Sequence, residues 1–145
     1  MKFESVRLKD FQSFEEDVVE FEDGVNLIHG KNGAGKSTVL RALFGGLYQT
    51  AGRRKMSKYD SMEDLVRDGK EEGKIELTFI VNGDPYTTVW GIDESSTESC
   101  TLSSPALNEE YSGVREVRSK VEEIVGMDAE SFVNSVYAQQ SNLNR

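Results

Sequence analysis

Gly30-Lys31-Asn32-Gly33-Ala34-Gly35-Lys36-Ser37-Thr38 is the stretch whose reading decides the fold. It fits the pattern G-x-x-x-x-G-K-[ST], with Gly30, Gly35, Lys36 and Ser37 at the fixed positions. The run before it, Val25 to His29, predicts a short buried strand, and Val39 to Tyr48 after it predicts a helix. The glycines therefore sit between a strand and a helix, the context in which this pattern is a phosphate-binding loop.

The chemistry accounts for the residue types. Backbone N–H groups can hold a chain of negatively charged phosphates only if the backbone comes very close, in conformations that a Cβ obstructs; Gly30, Gly33 and Gly35 permit this. The helix starting near Lys36 aims unpaired N–H groups and its positive dipole end at the anion. Lys36 reaches the β- and γ-phosphates as a point charge, and the Ser37 hydroxyl suits Mg²⁺, which prefers oxygen. The candidate cradle is Gly30, Asn32, Gly33, Ala34, Gly35, Lys36, Ser37 and Thr38.

Working outward, Met1 to Phe11 predicts a first strand, with Val6 and Leu8 alternating with Arg7 and Lys9, and Gln12 to Glu16 a turn. Asp17 to Phe21 predicts a second strand, and Glu22 to Gly24 a turn into the third. Beyond the loop, Val39, Leu40, Leu43, Phe44 and Leu47 give the helix a broad apolar face, which Gly45 and Gly46 weaken toward its C-terminus. Arg53, Arg54, Lys55 and Lys58 form a basic knot, favoured as a solvated loop, with contact to nucleotide or DNA phosphate as the alternative. Ser61 is placed as the cap of a short helix running to Arg67, with Met62, Leu65 and Val66 on one face. Lys74 to Val81 and Tyr86 to Ile92 flank Asn82-Gly83, a hairpin signal, in a sheet expected to be separate from that of the phosphate loop. A weak strand is expected near Thr101-Leu102. Ser112, as cap, opens an amphipathic helix to Val125 that Gly126 stops, and Asp128 caps a last helix carrying Phe132, Val133, Val136 and Tyr137. The fold class is α/β: a phosphate-loop lobe with a mixed sheet around the loop's helix, an antiparallel β subdomain and C-terminal helices.

The 145 residues are enough for one domain with a real core. The net charge of −9 disfavours sequence-independent attraction of DNA to this segment as a whole, and fits either simple solubility or the acidic surfaces of salt-loving organisms. No run approaches the length of a membrane span, no apolar signal region opens the chain, and the one cysteine, Cys100, reads as an inert small residue; a cytoplasmic protein is expected. His29 reads as structural.

A working phosphate-loop ATPase also needs a carboxylate at the end of a neighbouring strand to hold Mg²⁺. Asp93-Glu94 fits only loosely, because Gly91 interrupts the run before it and the segment looks like the return arm of a hairpin. The chain thus looks like half of an active site. A self-contained small P-loop enzyme, kinase- or GTPase-like, would take Asp93 for its metal; a nucleotide-gated interaction module would not turn over at all.

Phe11-Gln12-Ser13-Phe14, the loop at 30–38 and Val136-Tyr137-Ala138-Gln139-Gln140 together resemble the N-terminal half of an SMC-like ATPase head, of the SbcC or Rad-fifty double-strand-break repair branch in the ABC-ATPase superfamily. The resemblance spans the whole chain in order and spacing. It implies a head split in sequence: this lobe, then a long coiled coil after Arg145, then a C-terminal lobe with the Mg²⁺-binding Asp, the catalytic Glu and the signature motif. It implies ATP and Mg²⁺ as cofactors, dimerisation with a second head on ATP, DNA bound through the assembled complex, a partner nuclease, and a chromosome-associated prokaryotic protein with no membrane attachment. Gln140 becomes the Q-loop residue contacting Mg²⁺ and water, Asn32 a phosphate contact at the dimer face, and Gln12 and Ser13 further nucleotide contacts. The family usually has Arg or Lys where Gln12 stands; glutamine keeps a donor but not the charge. Gln139 and Asn142 also depart from the repair branch, which keeps a chromosome-organising SMC-like relative in view. Tyr111-Ser112-Gly113-Val114 is one glycine short of the family's signature motif.

Overall fold

The computed structural model describes residues 1–12, 14–21, 33–49, 65–95 and 97–135, and for 33–37 the backbone alone. In chain order its strands are β1 (Lys2–Phe11), β2 (Phe14–Glu20), β3 (Glu72–Val81), β4 (Asp84–Asp93), β5 (Glu98–Ser103) and β6 (Tyr111–Ser112). The helices are α1 (Gly33–Tyr48), α2 (Val114–Val125) and a further helical stretch over 129–135. Among the described residues the strands form one six-stranded sheet in the order β2-β1-β3-β4-β5-β6, with each neighbouring pair antiparallel.

The β3–β4 hairpin turns at Asn82 and Gly83, at φ 52° and 83°. Positive φ at both central residues is what a two-residue turn of matching twist requires. The hairpin does not lie in a sheet of its own: β3 pairs with β1 along most of its length, so the first two strands and the hairpin are one surface. The reason is apolar pairing, since Phe3, Val6 and Leu8 stand opposite Phe79, Leu77 and Ile75 on the face that is buried.

Strict alternation would not put Phe3, Val6, Leu8 and Phe11 on one face. A register shift between Phe3 and Ser5, and a left-handed Asp10 (φ 49°), turn both outer phenylalanines inward. β2 begins at Phe14 rather than after a turn through Glu16, because Phe14 pairs directly opposite Phe11 and Gln12 (φ 51°) makes the reversal tight. The expected helix does not extend to Arg67: Val66 forms a bridge with Phe11, and Arg67 N–H donates to the Asp10 carbonyl at 2.8 Å. Ser61 and Met62 lie outside the described residues, as do the strand at 25–29, His29 and the basic knot. The weak strand near Thr101 is a full member of the sheet, β5, with Cys100 and Leu102 buried. The N-cap of α2 is Gly113 (φ 99°), not Ser112, which pairs with Thr101 in β6; the C-cap is left-handed Gly126, as expected. Asp128 caps the stretch over 129–135 by accepting from Ser131 N–H at 2.8 Å.

α1 lies on the buried face of the sheet, with Leu40, Leu43, Phe44 and Leu47 in the core. Gly45 and Gly46 are where it touches. A Cβ on Gly45 would overlap Cζ3 of the fully buried Trp90, and one on Gly46 would stand 2.8 Å from Leu77 Cδ2. Thr88 Oγ donates to the Gly46 carbonyl at 2.7 Å across the same seam. The two glycines weaken the helix intrinsically and allow it to reach the sheet.

That trade predicts a sign. Alanine in place of a helical glycine ordinarily stabilises by about 0.5–1 kcal/mol, yet Gly45→Ala is expected to destabilise this fold by about 1–3 kcal/mol through overpacking against Trp90. Urea denaturation of the two proteins measures it; a midpoint unchanged or raised would mean that helix and sheet do not need this close approach.

Candidate nucleotide site

α1 begins at Gly33, three residues before Lys36, so the second half of the phosphate loop is the helix's first turn. An α-helix leaves its first N–H groups without intrahelical partners; here those belong to Gly33, Ala34, Gly35 and Lys36. That turn contains no acidic residue. In a chain with 26 Asp and Glu, this leaves the helix's positive end free of the carboxylates that commonly occupy such a position. Thr38, the last residue of the candidate cradle, is buried on α1 against the core.

The far end of α1 is anchored by three contacts. Arg118 Nε of α2 donates to the Tyr48 carbonyl at 3.1 Å, which places a cation at a helix C-terminus that has no basic residue in its own last turn. The Tyr48 hydroxyl donates to the Met127 carbonyl at 2.9 Å. Burial, reinforced by Glu122 and Asp128, holds that phenol well above its usual range and keeps it a neutral donor. Phe132 packs its ring against Phe3, Phe44 and Tyr48, with centroids 5.8–6.3 Å apart. The stretch that leads toward Gln140 is therefore tied to the phosphate-loop helix.

Gln12 closes the β1–β2 turn beside α1. Its N–H donates to the Leu65 carbonyl at 2.8 Å, and Arg41 Nη1 of α1 donates to its Oε1 at 3.2 Å. Sequence reasoning missed Arg41, because nothing in the spacing brings the first turn of the sheet against the helix. Gly30, Asn32, Ser13 and Gln140 lie outside the described residues, as do the side chains of Gly33, Ala34, Gly35, Lys36 and Ser37.

Asp93 stands at the end of β4, on the return arm of the hairpin as expected. Its Oδ1 accepts from Ser95 N–H at 2.9 Å and Thr97 N–H at 2.8 Å, so this carboxylate builds the β4–β5 turn. Among the described residues no three His, Cys, Asp or Glu side chains cluster as metal ligands.

A family described as AAA domain matches residues 5–145. The chain belongs to this AAA domain family. The DNA double-strand break repair Rad50 ATPase of Halobacterium salinarum is 33% identical over the whole chain, and that of Sulfolobus acidocaldarius 29% identical over 99% of it. The chain spans 16% of the length of each. Its fold is that of SMC heads. A chain solved in work on ATP-driven dimerisation and DNA-stimulated activation of SMC ATPases superposes with a TM-score of 0.65, at 20% identity, covering 90% of this chain and 80% of that one. An SMC head bound to the C-terminal winged-helix domain of ScpA gives 0.66 at 19% identity, covering 89% and 42%. These likenesses bear out both the SMC-like resemblance of the sequence and its α/β fold class. Among the described residues no helix is long and apolar enough to cross a membrane.

Cys100 is buried in β5, and burial, with Glu98 close by, pushes its thiol from 9.0 up to about 12. The unfolded thiol ionises near its ordinary value while the folded one stays protonated, so this contribution to stability is complete below about pH 9 and is lost as pH rises toward about 12. Cys100→Ala is expected to flatten that alkaline decline in a denaturation series. The native thiol should also resist a disulfide reagent at pH 8 and react at once in urea; equal labelling rates would refute its burial.

Proposed function

We propose that this chain binds ATP with Mg²⁺ at the loop Gly30 to Thr38, as the N-terminal lobe of a split ATPase head. The observation that carries the reading is the loop itself, with its second half forming the carboxylate-free first turn of α1. An ATP triphosphate suits that end: N–H groups of Gly33, Ala34 and Gly35 and the Lys36 ammonium match its charge, Asn32 and Thr38 flank them in sequence, and Gln12 and Ser13 are taken as further contacts. Ser37 and Gln140 would offer oxygen ligands to Mg²⁺, whose charge offsets that of the phosphates.

The names of the relatives, Rad50 repair ATPases, support double-strand-break repair or chromosome maintenance as the setting. On this reading the chain's own C-terminal lobe, joined through a coiled coil, supplies the metal-binding carboxylate and catalytic Glu. A second head closes over ATP, and the closed dimer gates DNA binding and a partner nuclease in the cytoplasm. The place of Asp93, on the return arm of an antiparallel hairpin with its Oδ1 in the β4–β5 turn, speaks against a self-contained kinase- or GTPase-like enzyme.

Lys36→Ala is expected to weaken Mg-ATP binding at least about tenfold, the loss of one charge-assisted contact, without lowering the thermal midpoint. Unchanged affinity in a calorimetric titration would end the phosphate-loop assignment. Gln140→Ala is expected to leave binding within about twofold and to slow hydrolysis by on the order of a hundredfold in the head completed by its C-terminal lobe. Normal turnover there would remove Gln140 from the mechanism.

A further inference from the structure

The hydrogen bond from Arg41 to Gln12 settles which way the Gln12 amide faces. A guanidinium carries donors and no acceptor, so the atom 3.2 Å from Arg41 Nη1 has to be the amide oxygen. The two Nε2–H donors are thereby turned away from Arg41. The root of the side chain is fixed as well: Gln12 sits at φ 51° with its N–H on the Leu65 carbonyl. Among the described residues its side chain makes no other hydrogen bond. Arg41 lies five positions beyond Lys36 in the same unbroken helix. Long side chains on a helix lean toward its N-terminus, so the contact holds Gln12 alongside the N-terminal half of α1.

We propose that Arg41 is a positioning residue that claims the Gln12 amide oxygen and so presents Gln12 Nε2–H as a fixed donor to the nucleotide phosphates at the start of α1. The inference rests on the nucleotide site proposed above. A neutral glutamine donates in either of two amide orientations, only one of which offers N–H groups to an anion; a donor-only neighbour removes the other. The competing role is a strap between α1 and the β1–β2 turn, which would contribute to stability and leave affinity alone.

A double-mutant cycle separates the two roles. Mg-ATP affinity and the thermal midpoint are measured for the chain, Gln12→Ala, Arg41→Met, the double variant and Arg41→Lys. Gln12→Ala is expected to weaken binding about tenfold, the loss of one hydrogen bond to a charged group. Arg41→Met is expected to weaken it about three- to tenfold alone and by no further factor when Gln12 is already alanine. Arg41→Lys, still donor-only, should bind within about twofold of the parent. Should Arg41→Met not fold, Arg41→Gln replaces it: glutamine both donates and accepts, the Gln12 amide is no longer forced one way, and the same loss is expected. Equal losses from Arg41→Met with and without Gln12, or a lowered midpoint with unchanged affinity, would overturn the proposal and leave the nucleotide site standing. Absence of any Lys36-dependent Mg-ATP binding by the parent chain would overturn both.

Discussion

The contact of Gly45 and Gly46 with the sheet is the constraint from which the rest of the structure follows. A helix approaches a sheet only as closely as its facing side chains permit, and at these positions there are none. The ring of Trp90 and the side chain of Leu77 occupy the space that Cβ atoms would take, and Thr88 ties the Gly46 carbonyl across the seam. Arg118, the Tyr48 hydroxyl and Phe132 then hold the C-terminal end of α1. A helix is stiff, so fixing its C-terminal half aims its N-terminus, and that N-terminus is the second half of the phosphate loop. Packing at one end of α1 thus sets the direction in which the backbone donors of Gly33 to Lys36 face at the other.

Electrostatics at that aimed end complement the packing. The chain carries nine more acidic than basic charges, yet the first turn of α1 has none of the carboxylates. Asp93, the acidic group whose sequence context invited a metal-binding role, is engaged by two backbone N–H groups of its own turn. Both bonds fall on Oδ1 and tie the carboxylate to the β4–β5 turn.

Much of this was legible in the sequence because it is local. The loop pattern, the Asn82-Gly83 turn, the Gly126 stop and the Asp128 cap each depend on residues a few positions apart, and all three of those that fall among the described residues are present as expected. What escaped was non-local. Gly45 and Gly46 look like helix weakeners until Trp90 is placed across from them. The pairing of β3 with β1 is equally hidden, because nothing in Lys74 to Val81 says that its partner is a strand some 70 positions earlier. Ser112 looked like a helix cap because serine is a good one, but pairing with Thr101 used it first. Arg41 was invisible as a partner of Gln12 for the same reason: the turn and the helix meet only in the folded chain.

On the proposed reading this lobe holds ATP but cannot complete its hydrolysis alone. Steady-state ATP hydrolysis, titrated over protein concentration for this chain and for the chain joined to its C-terminal lobe, tests it most directly. No turnover by the chain alone is expected despite Mg-ATP binding, and turnover by the joined head should rise more than linearly with concentration as heads pair. Turnover by the chain alone that depends on both Lys36 and Asp93 would contradict it and make the chain an enzyme in its own right.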